Sequence, residues 1–325
     1  MNKELTVVKV TLIAPFYNSE KYLDRFLKSV IAQTYNAFQF ILVNDGSTDK
    51  SDIIVEKYAK DLHDKCDFMY IHQRNGGAAS AVNNALKYVK GEYLSWADCD
   101  DELHPSNLEA KSDWLDKHPD YGLVLCQAKV FDEVSRKESI LDITKTKKGF
   151  EEDMFEHIFL DGIPVYTGVF MIRSKLLFEK LDNRNIYYNP EAGQNYQLLL
   201  PAAYNSKCGL INKYLYTYYI RPESHSHNTN FRKEWKRLYI REKLLREVLS
   251  FLDEYKKNIY MQIIHKECAI KRFELAFNGF NKGYCNCAYS TIKLYDILSK
   301  KIWLKHFIIN NRLLSRVYKL MKGKK

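Results

Sequence analysis

The sequence predicts an α/β protein: a mostly parallel β-sheet flanked by helices, followed by a helical C-terminal region. Three observations predict it. Apolar runs rich in β-branched residues alternate with amphipathic helical patterns in units of roughly thirty residues, as right-handed crossovers between parallel strands require. Those runs are apolar at consecutive positions, the mark of strands covered on both faces. From Phe231 onward Gly and Pro become rare and the pattern is almost wholly helical. A chain of 325 residues exceeds one typical core, so a large domain of residues 1–228 and an appendage of 229–325 is the expected division.

The elements follow in order. VVKVTLIAPF, residues 7–16, is a strand buried on both faces. A helix runs from about Ser19 to Ala32, with Tyr22, Leu23, Phe26, Leu27 and Val30 at helical spacing and Ser19 as N-cap. FQFILVNDGS is the next strand, ending at Asn44-Asp45-Gly46, and STDKSDIIVEKYAK starts a capped helix. FMYIHQ is a third strand, NGGAASAVNNALKYVK a glycine-opened helix, and EYLSWAD a fourth strand. Past Pro105, HPSNLEAKSDWLDKHPD reads as a helix closed by Pro119 and YGLVLCQAKVFD as a strand. The polar, Lys-rich stretch 132–150 reads as an exposed hairpin or loop. PVYTGVFMIRSKLL is a strand leading into a helix, AGQNYQLLLPAAYN a helix, and CGLINKYLYTYYIRPE a strand.

Composition narrows the function classes. A hydrophobic share of 46% and 24 tyrosines suit a chain with a sizeable core and amphipathic rings for interfaces or sugar faces. No apolar run approaches about 18 residues, so a transmembrane helix is not expected. The opening MNKELTVVKV lacks the apolar segment of a signal peptide, which makes a cytoplasmic location the expectation. The seven cysteines are scattered, without a C-x-x-C pair, and fit reduced thiols rather than a disulfide framework or zinc site. Cys285 and Cys287 form only C-x-C. The net charge of +10 is uneven: residues 231–325 hold 23 Lys and Arg against 8 Asp and Glu. Such a region suits an anionic surface, but no nucleic-acid recognition motif accompanies it.

The stretch YLSWADCDDELHP poses the chemical question. A buried strand ends with Asp98, Asp100 and Asp101 within four positions, and like charges this close repel. A cation resolves the repulsion: oxygen ligands suit Mg²⁺ or Mn²⁺, and Mg²⁺ characteristically takes one or two carboxylates plus substrate phosphates. The partner so implied is a di- or triphosphate. The competing reading makes the aspartates the N-cap and first-turn acids of the helix near Pro105.

Three stretches, APFYNSEKYLDRFLKSVIAQTYNAFQFILVNDGSTDKS, NGGAASAVNNAL and KGEYLSWADCDD, stand in linked order. Together they resemble the family 2 glycosyltransferases, inverting enzymes of the GT-A fold, a Rossmann-like nucleotide-diphospho-sugar transferase architecture. The resemblance is strong over residues 8–110, moderate to about 228, and absent from the tail. It implies a nucleotide-sugar half, 1–110, and an acceptor half, 111–228. It also implies a hexosyltransferase that needs Mn²⁺ or Mg²⁺, takes a UDP-linked donor and glycosylates a glycan or lipid-linked oligosaccharide in bacterial surface-polysaccharide assembly. By the same resemblance Ala14, Pro15, Tyr17, Asn18, Glu20 and Asp45 would hold the base and ribose, Asp45 accepting from a uracil N–H. Arg74, Asn75 and Gly76 would lie along the sugar-phosphate. Asp98 and Cys99 would meet the donor. Asp98 and Asp100 match the D-x-D, with Asp100 the direct metal ligand and catalytic group and His225, ahead of His227, completing the shell. Many relatives carry an acidic pair as base where this chain has Gln194-Asn195, and amides cannot act as bases. Those two residues would bind the acceptor or cap a helix. Glu191, one turn upstream, or Asp161 in FLDGIP is the substitute base.

In the tail, Lys301, Lys305, Arg312, Arg316 and Lys319 fall within an arc of about 60° on one continuous helix. Trp303, Phe307, Leu314, Val317, Tyr318 and Met321 fall opposite, and no acid follows Asp296. Residues 299–325 therefore fit either a peripheral membrane contact or an apolar stripe packed on the protein with its lysines solvated. Two other functions remain open: a catalytically impaired glycan or nucleotide binder, allowed by the Gln194-Asn195 amides, and a nucleotidyltransferase, for which the APFYNSEKY loop lacks the Gly-rich, basic character.

Overall fold

Strands β1 (Val10–Phe16), β2 (Phe38–Asn44), β3 (Asp67–His72) and β4 (Tyr93–Trp96) run parallel in the order β3-β2-β1-β4. All seven residues of β2 and all four of β4 are buried, because helices cover both faces. A polar lock sits in this apolar core. The Thr11 hydroxyl donates to Gln39 Oε1 (2.9 Å) and accepts from the Gly91 N–H (2.9 Å), while Gln39 Nε2 donates to the Tyr88 carbonyl (3.1 Å). Each polar atom finds a partner, so register is fixed without a buried orphan.

The computed structural model describes residues 8–141, 152–160, 166–191, 193–221 and 230–322. It divides into two compact units, Met1–Pro222 and Glu223–Lys325. In the first unit the sheet continues through β5 (Glu102–Leu103), β6 (Tyr121–Asp132), β7 (Lys137–Leu141), β8 (Phe170–Arg173) and β9 (Lys207–Ile220). The strand order is β3-β2-β1-β4-β8-β6-β9-β5, with β7 on the outer half of β6. The α/β class holds, and the sheet is mixed: β8 is antiparallel to both β4 and β6, whereas β6 and β9 are parallel. The 132–150 stretch forms the expected hairpin as far as Leu141.

Helices α1 (Leu23–Ile31), α2 (Ser51–Lys65), α3 (Ala78–Leu86), α4 (Asn107–Lys117), α5 (Met154–Leu160), α6 (Ser174–Phe178) and α7 (Asn195–Ala203) connect these strands. Helix α1 buries Leu23, Phe26, Leu27 and Val30 on one face, as its spacing predicts. It starts one turn later than expected, capped at Tyr22 and not at Ser19. Ser19 instead donates its N–H to Ser51 Oγ (2.9 Å), across to the start of α2.

The second unit holds α8 (Phe231–Val248), α9 (Glu254–Asn278), α10 (Lys282–Leu294), α11 (Lys300–Asn310) and α12 (Arg312–Lys322). Side chains of Asn230, Asp253, Asn281 and Ser299 cap α8 to α11. Phe273, Phe277, Cys285, Ile292, Ile302 and Ile309 form its buried core. The single tail helix is corrected to two. Asn311 leaves helical backbone, and its Oδ1 accepts from the Leu313 and Leu314 N–H groups (3.1 Å each), starting a new helix. The amphipathic arc is also broken: Lys305 pairs with Glu274, whereas Trp303, Phe307, Leu314, Val317 and Met321 are exposed. Tyr318 is half-buried against Phe277 and Phe280. No described helix is long and apolar enough to cross a membrane. All seven cysteines are free, and Cys285 is buried while Cys287 is exposed, so the C-x-C does not face one site.

Candidate functional site

The loops after β1 and β2 are knitted together. Asn18, at φ 48°, accepts at Oδ1 from the Thr48 N–H (2.8 Å) and donates its N–H to Ser47 Oγ (2.9 Å). Glu20 accepts at Oε2 from the Lys50 N–H (2.9 Å) and donates its N–H to Asp49 (3.0 Å). Both residues thus build the loop pair. Ala14 is buried, Pro15 half-buried, and Tyr17 is 50% exposed.

Asp45, at the end of β2, is only 4% exposed. It accepts from Gln73 Nε2 (2.7 Å) and the Gly76 N–H (2.9 Å) at Oδ1, and from the Gly77 N–H (2.7 Å) at Oδ2. Its carboxylate is therefore held by the amides of the Gly76-Gly77 turn that leads into α3. Gly77 has φ 84°, and a Cβ there would lie 2.7 Å from the Pro190 carbonyl oxygen, so glycine is required. Arg74 and Asn75 are exposed. Arg74 shares a polar cavity of about 410 Å³ with Ser80, Asn84, Lys87 and Tyr188.

The turn after β4 is different. Asp98 accepts from Thr167 Oγ1 at Oδ2 (2.9 Å) and from Gln194 Nε2 at Oδ1 (3.4 Å). Asp100 pairs with the Arg221 guanidinium, and its main-chain carbonyl accepts from Arg25 Nη2 (2.6 Å). Asp101, fully buried, accepts from the Tyr216 hydroxyl (2.7 Å) and the Tyr219 N–H (2.9 Å). Ligand oxygens of all three aspartates lie within 4.8 Å of one another, and they are the one such acidic or metal-ligating group among the described residues. Burial raises the Asp98 carboxyl above its ordinary range, against the opposing Thr167 hydrogen bond. Burial, with the Asp98 charge added, pushes Asp101 up to about 8. Burial also lifts the Cys99 thiol well above its usual value. The turn is short of positive charge, and a hard divalent cation suits this oxygen donor set. Asp101 is fully buried, whereas Asp98 and Asp100 keep part of their surface, so those two are the fitting ligands, Asp98 with its oxygens already oriented by Thr167 and Gln194.

The helix-cap reading of this turn fails. Strand β5 separates it from α4, whose N-cap is Ser106. Gln194 and Asn195 do not cap with their side chains either. Gln194 turns to Asp98, and Asn195 Oδ1 accepts from the buried Trp96 Nε1 (3.1 Å). Glu191 is exposed, in the loop whose Pro190 lies against Gly77. His225, His227 and Asp161 lie outside the described residues.

The structure adds residues that the motifs do not name. Thr167 and Tyr216 hydrogen-bond each other (3.1 Å) and reach Asp98 and Asp101. Lys111 is fully buried, with Nζ donating to Ser95 Oγ (3.3 Å) and to the carbonyls of Gly168 (2.9 Å) and Phe170 (3.4 Å). It thereby fixes the segment that presents Thr167, and burial pulls its ammonium down to about 8. Arg25 stacks on the Tyr219 ring at 3.4 Å and pairs with Glu133. Little in the sequence marks these side chains. Only the fold brings them to the turn, although Arg221 follows directly on the last strand.

The sequence profile described as Glycosyl transferase family 2 matches residues 11–182. An uncharacterized glycosyltransferase of Rickettsia typhi is 30% identical over 173 residues, covering 53% of this chain and 52% of that protein. The chain thus spans about half the length of that relative. The minor teichoic acid biosynthesis protein GgaB of Bacillus subtilis is 38% identical over 120 residues, 36% of this chain and 13% of that protein. Among solved structures, residues 1–349 of S. aureus TarS in complex with UDP-GlcNAc superpose with a TM-score of 0.67 at 21% identity, covering 96% of this chain and 92% of that one. The mannosyltransferase PcManGT of Pyrobaculum calidifontis, in complex with GDP-Man and Mn²⁺, gives 0.52 at 15% identity, covering 97% and 84%.

Proposed function

This chain belongs to glycosyl transferase family 2, and from that premise we propose that it transfers a sugar from a UDP-linked donor to a hydroxyl of a glycan or lipid-linked oligosaccharide, with inversion. The observation that carries the reading is the convergence of Asp98 and Asp100 at the end of β4. Strands β2 and β4 both pair in parallel with β1, so this turn shares a sheet edge with Asp45, where α/β ligands bind.

Asp100 and Asp98 would hold Mn²⁺ or Mg²⁺, which would supply the charge that neutralises the leaving diphosphate. Thr167 and Gln194 orient Asp98 by their hydrogen bonds. Tyr17 offers its exposed ring to the base, while Asp45 with Gly76 and Gly77 fixes the shape of the donor loop. Arg74 and Asn75 flank the sugar-phosphate. Glu191 takes the acceptor hydroxyl's proton as that oxygen bonds to the anomeric carbon and the carbon–diphosphate bond breaks. The exposure of Glu191 and the packing of its loop on Gly77 support this role. The UDP-GlcNAc held by TarS and the teichoic acid named for GgaB support a UDP donor and a bacterial surface glycan. The exposed apolar residues of α11 and α12 among lysines and arginines support peripheral attachment to the inner face of the cell membrane.

The test is turnover of a panel of UDP-hexoses and UDP-N-acetylhexosamines with Mn²⁺, read as UDP release and product mass. One donor is expected to turn over, with Glu191→Gln slower by about a thousandfold. Nucleotide binding without turnover on any donor would make the chain a binding protein.

A further inference from the structure

Two guanidinium groups reach the turn after β4, and they do different things. Arg25 grips the backbone: it donates to the Asp100 carbonyl, pairs with Glu133 and stacks on Tyr219. Arg221 grips the side chain. Among the described residues the Asp100 carboxylate meets this one side-chain cation and no other. The two partners keep 18% and 22% of their side-chain surface. The Arg221 guanidinium lies over the Tyr22 ring at 4.3 Å, and its Nε is buried without a hydrogen-bond partner among the described residues.

Arg221 therefore sits on the carboxylate that the proposed function gives to the metal. A guanidinium and a divalent cation cannot both approach those oxygens closely, because their charges repel at contact distance. The Asp100 carboxylate, packed beside two others, in turn favours a cation beside it. The ion pair and the metal complex are thus alternative states of one site. Arg221 has reserve for the second state: an unfilled Nε and a planar fork that suits phosphate oxygens.

We infer that Arg221 is the resident counter-ion of Asp100, displaced when a divalent cation binds, so that one event both seats the metal and releases a guanidinium toward the diphosphate. This rests on the metal-dependent reading above. It assigns Arg221 a positioning role that no motif gives it.

The test is calorimetric titration of Mn²⁺ alone into the full chain, followed by UDP at saturating Mn²⁺, with melting temperatures recorded in parallel. Arg221→Met is expected to bind Mn²⁺ about tenfold more tightly than wild type, since no resident cation must leave. At saturating Mn²⁺ it should bind UDP about tenfold more weakly. Arg221→Gln, shorter and uncharged but still a hydrogen-bond donor, carries the same expectations should the Met variant not fold. Asp100→Asn should bind no Mn²⁺. A folded Arg221 variant with unchanged or weaker Mn²⁺ affinity than wild type would reduce the pair to a structural ion pair and overturn the inference alone. Absence of Mn²⁺ binding in every variant, with and without UDP, would overturn the metal reading and the inference with it.

Discussion

Asp45 and Asp100 end neighbouring regions of one sheet edge and are held in opposite ways. Asp45 is held by three N–H donors from its own chain, two of them the amides of the Gly76-Gly77 turn before α3. Asp100 sits beside two other carboxylates and faces one displaceable guanidinium. The first is held in place by the loop that it organises. The second is a turn whose balance of charge calls for a ligand. Acids at two strand ends of one sheet edge thus stand in different surroundings, Asp45 among N–H donors and Asp100 against a guanidinium.

The contrast can be broken by mutation. Asp100→Ala should cut sugar transfer about a thousandfold while costing only about 1 kcal/mol of stability. Asp45→Ala should also lower transfer, through the donor loop, but at a larger cost in stability. It strands the amides of Gly76 and Gly77 and should cost about 3 kcal/mol in urea unfolding. Equal stability losses in the two variants would erase the distinction. Gly77→Ala sharpens the same point without touching charge. Forcing a side chain into φ 84° against the Pro190 carbonyl should cost about 2 kcal/mol and loosen the loop that carries Glu191.

A pH-dependent effect tests the scaffold behind the turn. The Lys111 ammonium titrates near 8 in the fold against an ordinary 10.5. Between those values the unfolded chain binds more protons, so this group's contribution makes stability rise with pH from about 8 to about 10.5, at up to about 1.4 kcal/mol per pH unit. Below pH 8 the contribution is flat. Urea unfolding across that window should show the slope in wild type and lose it in Lys111→Met. The smallest stability effect belongs to the tail. Trp303→Ser with Phe307→Ser should change stability by less than about 0.5 kcal/mol, yet abolish sedimentation with phosphatidylglycerol vesicles.

The legibility of the sequence follows the same divide. The strands, α3 with its Gly-Gly opening and the D-x-D are local signals, readable because apolar periodicity, glycine and acid clustering each act within a few residues. Start points were less so: Ser19 looks like a cap, but its hydroxyl donates back to the Tyr17 carbonyl and the helix starts after Tyr22. The tail reads as one amphipathic helix because the capping capacity of Asn311 is invisible to a periodicity argument. Thr167, Tyr216, Arg221 and Lys111 were not readable at all. Ordinary residues in ordinary strands, helices and loops, they become site residues only because β8 and β9 carry Thr167, Tyr216 and Arg221, and α4 carries Lys111, toward the end of β4. Gln194 and Asn195 were flagged for what they lack, and the fold shows them turned to Asp98 and Trp96.

The most direct measurement is calorimetric titration of UDP into wild type and Asp100→Ala, each with Mn²⁺ and with EDTA. The account predicts binding in wild type with Mn²⁺, lost in EDTA and lost in the variant. UDP binding of equal strength in EDTA, or in Asp100→Ala, would contradict it: the carboxylates after β4 would then hold no cation for a diphosphate.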